Sequence, residues 1–167
     1  MAVPVAVAAA LLPIAPVPLA ATDRQPVPRF ISSGAWRQCS PEGGVLVPVP
    51  LPTPKQPDAM RWAAAANVAF GIPEGFFIGP HGAGGKSSIG IYPQRTSQLL
   101  AAVATTGSVP EVDAATRAQA RKDLEFWRAD CVALARVRNE AALRETLEAL
   151  LGPGTRIADT WTWKIPR

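Results

Sequence analysis

At 167 residues, with 48% hydrophobic and 18% charged side chains, the chain is long enough to bury one core of ordinary size. Its net charge of +4 is spread over scattered basic residues, with no basic run and no aromatics interleaved among them, so composition does not point to nucleic acid as a partner. One histidine and two cysteines, Cys39 and Cys131, are too few for a zinc centre, which takes about four ligands.

Most of the 18 prolines fall before residue 60, which divides the chain into a non-globular front and a compact back. Residues 2–20 carry no charge and are about long enough to cross a bilayer, although Pro4, Pro13, Pro16 and Pro18 interrupt them. A secretory signal fits poorly. No Lys or Arg precedes the apolar run, and Pro18 disturbs the small-residue cleavage pattern. The expectation is the last membrane segment of a longer polytopic protein; the alternative is an Ala/Pro-rich leader without structure. Residues 21–42 read as a linker. Arg24, Arg29 and Arg37 weakly favour a cytoplasmic side, while Phe30, Ile31 and Trp36 suit packing on the domain or the membrane interface.

A folded domain is expected over residues 43–167. Val45–Pro50 reads as a strand buried on both faces, with the prolines marking its end. Asp58 is placed to cap a helix over 59–70 that ends at Gly71. Phe76-Phe77-Ile78 reads as a second extended segment, followed by a glycine-rich loop and the apolar piece Ile89–Tyr92. A short helix capped by Thr96 runs to Gly107, and a stronger one over 114–129 follows Asp113. Cys131–Val137 has the composition of a strand, and Asn139 is placed to cap a helix ending at Gly152-Pro153. Alternation over Thr155–Ile165 predicts one half-exposed edge strand, with Ile157, Trp161, Trp163 and Ile165 on one face and Thr160, Thr162 and Lys164 on the other. The fold class is therefore α/β: a small three-layer domain with a short, mostly parallel sheet, preceded by an apolar membrane-like segment and a Pro-rich linker.

The motif that draws the eye is PHGAGGKSS, residues 80–88. Gly85-Lys86-Ser87 matches the end of a phosphate-binding loop, but Pro80 stands where its first glycine belongs. That motif also needs a helix at the lysine, and SSIGIYP is a poor helix start. Nucleotide binding is not expected, and no cofactor is implied. The loop retains the chemistry of an anion site, with His81, Lys86 and Arg95 as charges and Gly82, Gly84 and Gly85 allowing close backbone approach. A phosphate-bearing lipid headgroup suits it; a solvated surface loop is the plainer reading. No catalytic triad or acid–base carboxylate pair stands out, and Trp161 and Trp163 suit a core as well as a sugar platform. Two isolated cysteines are more often unpaired than bridged, and a Cys39–Cys131 bridge needs an oxidising compartment.

Taken in order, an apolar segment, SGAWRQC, PEGGVLVPVP, MRWAAAANVAF, PEGFFIGPHGAGGKSSIGIYP and ADCVALARV followed by LRETLEALLGPGTRIADTWTWKI resemble the C-terminal soluble domain of polytopic bacterial membrane proteins similar to C-superfamily glycosyltransferases. Those proteins use polyprenyl-phosphate sugars, and their catalytic acid lies in an early extracytoplasmic loop that nothing in this chain matches. The resemblance implies a non-catalytic extracytoplasmic tail domain at the cell membrane, with glycan or lipid-linked sugar as partner. The alternative is a free-standing membrane-anchored interaction domain.

Overall fold

The computed structural model describes residues 25–54, 56–75, 78–81, 84–89 and 93–166, with the backbone alone at 78–81 and 86–89. The apolar segment 2–20 and the loop residue Gly82 lie outside the described residues. Among the described residues, no helix is long and apolar enough to cross a membrane.

The elements in chain order are α1 (Arg29–Ser32), a 3-10 turn (Ala35–Gln38), β1 (Leu46–Pro48), α2 (Met60–Ala65), β2 (Ile78–His81), β3 (Lys86–Ile89), α3 (Arg95–Thr106), α4 (Ala114–Trp127), β4 (Cys131–Leu134), α5 (Glu140–Leu151), β5 (Thr155–Ile157) and β6 (Thr160–Lys164). Four strands form one sheet in the order β1-β4-β6-β5, and β2 and β3 form a separate hairpin. The sheet is mixed. β1 and β4 run parallel in the register Leu46↔Cys131, while β4–β6 and β5–β6 are antiparallel. The expectation of a mostly parallel sheet therefore holds for one pair only.

β1 and β4 are buried along their whole length, as apolar runs covered on both faces must be. Alternate residues face different neighbours. Val47, Val132, Leu134 and Trp163 pack with Leu100 and Val103 of α3, Leu124 and Trp127 of α4, and Leu143 and Leu147 of α5. Leu46, Cys131 and Ala133 pack with Phe30, Ile31, Trp36, Trp62 and Phe70. Helical segments thus cover both faces, and each fully buried Leu, Val or Phe side chain contributes about 1.5–3 kcal/mol.

The second of these clusters changes the reading of residues 28–42. Phe30, Ile31 and Trp36 are at most 2% exposed, so the supposed linker supplies part of the core. Asp159, in the β5–β6 turn, fixes the segment in place by accepting hydrogen bonds from the backbone N–H groups of Arg29 at 2.8 Å and Phe30 at 2.9 Å. Burial opposes ionisation of Asp159, but the backbone donors of Phe30 and Arg29 outweigh it and hold the carboxyl below its usual range. A covalent tie completes the attachment. Cys39 and Cys131 form a disulfide with their Cα atoms 5.5 Å apart, where isolated thiols were the commoner expectation.

Several caps differ from their sequence reading. Asp113 accepts from the Thr116 N–H at 2.7 Å and caps α4 as expected. Helix α2 begins two residues after Asp58 with no side-chain cap, and Asp58 instead faces Arg61 at 3.6 Å. It also stops early, because Asn67 and Val68 turn into the left-handed region at φ 51° and 57°. Thr96 lies inside α3 and gives both its N–H and its hydroxyl to Asp123 of α4. Asn139 holds the N-cap position of α5, but its amide donates to the Ala104 carbonyl at 3.0 Å and joins α5 to the end of α3.

The C-terminal strand is two strands. Ala158, at φ 54°, reverses the chain between β5 and β6. β5 takes the sheet edge and β6 lies inside, so Thr160 and Thr162, expected to face solvent, are buried at 0% and 3% exposure. The Thr162 hydroxyl is satisfied by the Thr155 carbonyl at 2.8 Å. Trp161 is half-buried beneath the guanidinium groups of Arg144 and Arg156, 4.8 and 5.8 Å from its ring.

Candidate functional site

Of the residues singled out from the sequence, His81 and Lys86 come together in the backbone: they are cross-strand partners at the closed end of the β2–β3 hairpin. Gly84 and Gly85 make the turn at φ 91° and 63°, a conformation that suits residues without a Cβ. Arg95 is separate from the hairpin strands, at the exposed first position of α3. A strand, not a helix, starts at Lys86, so the local geometry lacks the helix N-terminus that a phosphate-binding loop provides.

Glu74 closes the base of this hairpin. Its carboxylate accepts from the Gln94 N–H at 2.9 Å and from the Ser97 hydroxyl at 2.8 Å, joining the start of the segment to its end. Burial raises the Glu74 carboxyl above its usual range, Gln94 and Ser97 act against that, and nearby Asp123 adds to it. A raised folded-state value means that folding favours the protonated form. That contribution is complete below the unfolded-state pKa and is lost as pH rises through the folded-state value. Glu74→Gln keeps an acceptor oxygen and removes the charge. Thermal melts should therefore show the variant above the wild type at neutral pH and level with it at acidic pH; a variant that melts lower at neutral pH contradicts this account.

A second feature lies where the two parallel strands end. Beyond Pro48 of β1 and Leu134 of β4 is a cavity of about 400 Å³, walled by Val49-Pro50, Gln56, Asp58-Ala59, Arg61-Trp62, Gln25–Pro28, Ala104-Thr105 and Ala135–Arg138. In open α/β sheets, the space outside the carboxyl ends of parallel strands is the usual place for ligands. Trp62 and Ala59 give it an apolar wall, and among the described residues Arg61, Arg136 and Arg138 bring three guanidinium groups against one carboxylate, Asp58. The Arg61 head is held by the Gln25 carbonyl at 2.9 Å. Arg136 and Arg138 are exposed, and neither forms an ion pair with a described residue.

No family model, curated protein or solved structure matches the chain.

Composition does not reveal the cleft, because it carries a strand over Cys131–Val137 through Arg136, whereas the strand stops at Leu134. The usable signal was positional: Ala135-Arg136-Val137-Arg138 follows a buried parallel strand and precedes a helix. Among the described residues, no group of three or more His, Cys, Asp or Glu side chains is placed to hold a metal.

Proposed function

We propose that the protein is a non-catalytic, extracytoplasmic accessory domain of a membrane glycosyltransferase-like protein, contacting glycan or lipid-linked sugar through the segment that includes His81, Lys86 and Arg95. The observation that carries this reading is the Cys39–Cys131 disulfide. Structural disulfides persist in oxidising compartments and are rare in the cytosol, which favours the outer side of the membrane. The separate β2–β3 hairpin supports the choice of contact surface, since it stands apart from the main sheet and presents its glycine turn at one end.

The experiment is a fractionation of cells expressing the full chain with a C-terminal tag. The expected result is retention in the membrane after carbonate extraction, cleavage of the tag by protease added to intact spheroplasts, and thiols that react with maleimide only after reduction. A soluble product, or a tag protected inside the spheroplast with freely reacting thiols, overturns the proposal.

A further inference from the structure

We infer that the cleft beyond β1 and β4 binds a phosphate monoester carried on a body about the size of a monosaccharide. This site lies on different elements from the β2–β3 hairpin and does not depend on the glycosyltransferase-like reading. Its volume of about 400 Å³ falls within the range of small-ligand sites, roughly 300–1,000 Å³. Its polar groups are strongly one-sided. Arg61, Arg136 and Arg138 face the cavity, with Asp58 as the one carboxylate among the described residues of its wall. Asp58 is already engaged by Arg61 at 3.6 Å, and Arg136 and Arg138 form no ion pair with a described residue.

Guanidinium groups present a planar fork of N–H donors that matches the oxygens of a phosphate, with two parallel bonds per group. Arg136 and Arg138 leave the end of β4 on either side of Val137, which packs against the core and fixes the loop between them. Two donors of this kind on one anchored loop give a dianion a place to bind. Arg61 is less free to move, because Gln25 holds its head from one side and Asp58 from the other. The wall formed by Trp62, Ala59 and Pro50 is apolar and suits the carbon face of a ring. A bare phosphate leaves that wall unused; a neutral sugar leaves the arginines unused.

The test is a titration of the full chain, followed by amide chemical shifts, with glucose 1-phosphate, glucuronate, inorganic phosphate and glucose as probes. Glucose 1-phosphate is expected to shift the amides of residues 49–62 and 135–138, to bind more tightly than the other three, and to weaken as salt is added. The Arg136→Gln/Arg138→Gln double variant, with an unchanged spectrum elsewhere, is expected to lose at least about tenfold in affinity, since hydrogen bonds to charged groups contribute strongly. Arg156→Gln, on the far edge strand β5, is expected to bind as the wild type does. The inference is overturned if those amides do not move, or if the double variant binds unchanged. It is also overturned if inorganic phosphate or glucuronate binds as tightly as glucose 1-phosphate, because the ring or the phosphate then contributes nothing.

Discussion

Replacing both cysteines by alanine is expected to lower the melting temperature by about 10–18 °C, the largest effect of any change considered for this domain. The bridge joins residues separated by 92 positions. Closing a loop of that length removes conformational entropy from the unfolded chain worth about 4–5 kcal/mol. Small domains are stable by only about 5–15 kcal/mol, so the loss takes a large share of the total. Both sulfurs are buried, Cys131 at 0% and Cys39 at 3% exposure, and the alanines add a small cavity cost. Melting the wild type with and without a reductant separates the two terms: reduction removes the bridge and leaves the side-chain volume. A double variant that melts within about 2 °C of the oxidised wild type would mean that the pairing contributes almost nothing.

Gly44→Ala is expected to cost about 3 kcal/mol, or roughly 6–12 °C in melting temperature. A Cβ at this position would lie 2.6 Å from an Asp130 carboxylate oxygen, 2.7 Å from the Ser40 hydroxyl and 2.9 Å from the Pro41 carbonyl. None of these neighbours moves cheaply. The same Asp130 oxygen accepts the Val45 N–H at 2.8 Å, and the Asp130 carbonyl accepts from Ile165 at 2.8 Å. On the other side, the Gly44 carbonyl accepts the Gly71 N–H at 2.8 Å, and the Gly71 carbonyl accepts from Leu46 at 2.9 Å. Gly44 therefore sits in the seam that starts β1, ends the α2 loop and leads into β4. Gly43→Ala is the comparison. Gly43 has φ 75° with open space around its Cβ position, so alanine there carries only the left-handed penalty of about 1–2 kcal/mol. Urea titrations of both variants decide the matter: equal losses would mean that the close approach at Gly44 is not what fixes the residue.

The parts of the fold that were legible are those whose cause is local. Val47 and Val132 sit in short apolar runs, and such runs are strands buried on both sides. Asp113 caps its helix because its carboxylate reaches a backbone donor three residues on. Gly152 follows the last turn of α5, as its place in the sequence suggested. What was not legible depends on distant residues. Phe30, Ile31 and Trp36 stand among prolines and arginines, and only the far side of the sheet shows what buries them. The β5–β6 turn carries neither glycine nor proline, and Ala158 takes the left-handed conformation that such a residue usually avoids. Thr160 and Thr162 read as a polar face until a neighbouring strand places β6 inside the sheet. For the candidate sites, the glycine turn was visible, but the arginine cleft was not. Arg61 belongs to α2 and Arg136 to the end of β4, and parallel pairing of β1 with β4 is what brings their loops together.

The bond between Cys39 and Cys131 also sets how the domain carries load. Tension applied at the two ends of the chain passes along the first 39 residues, across the sulfur atoms and out through the last 37. Helices α2, α3 and α4, the β2–β3 hairpin and the residues of β1 lie inside the covalent ring and feel none of it directly. A single cut by a protease within the ring, at the hairpin turn for example, leaves one molecule and not two. The two pieces separate on a denaturing gel only after reduction, so the hairpin is tethered even when its own backbone is broken.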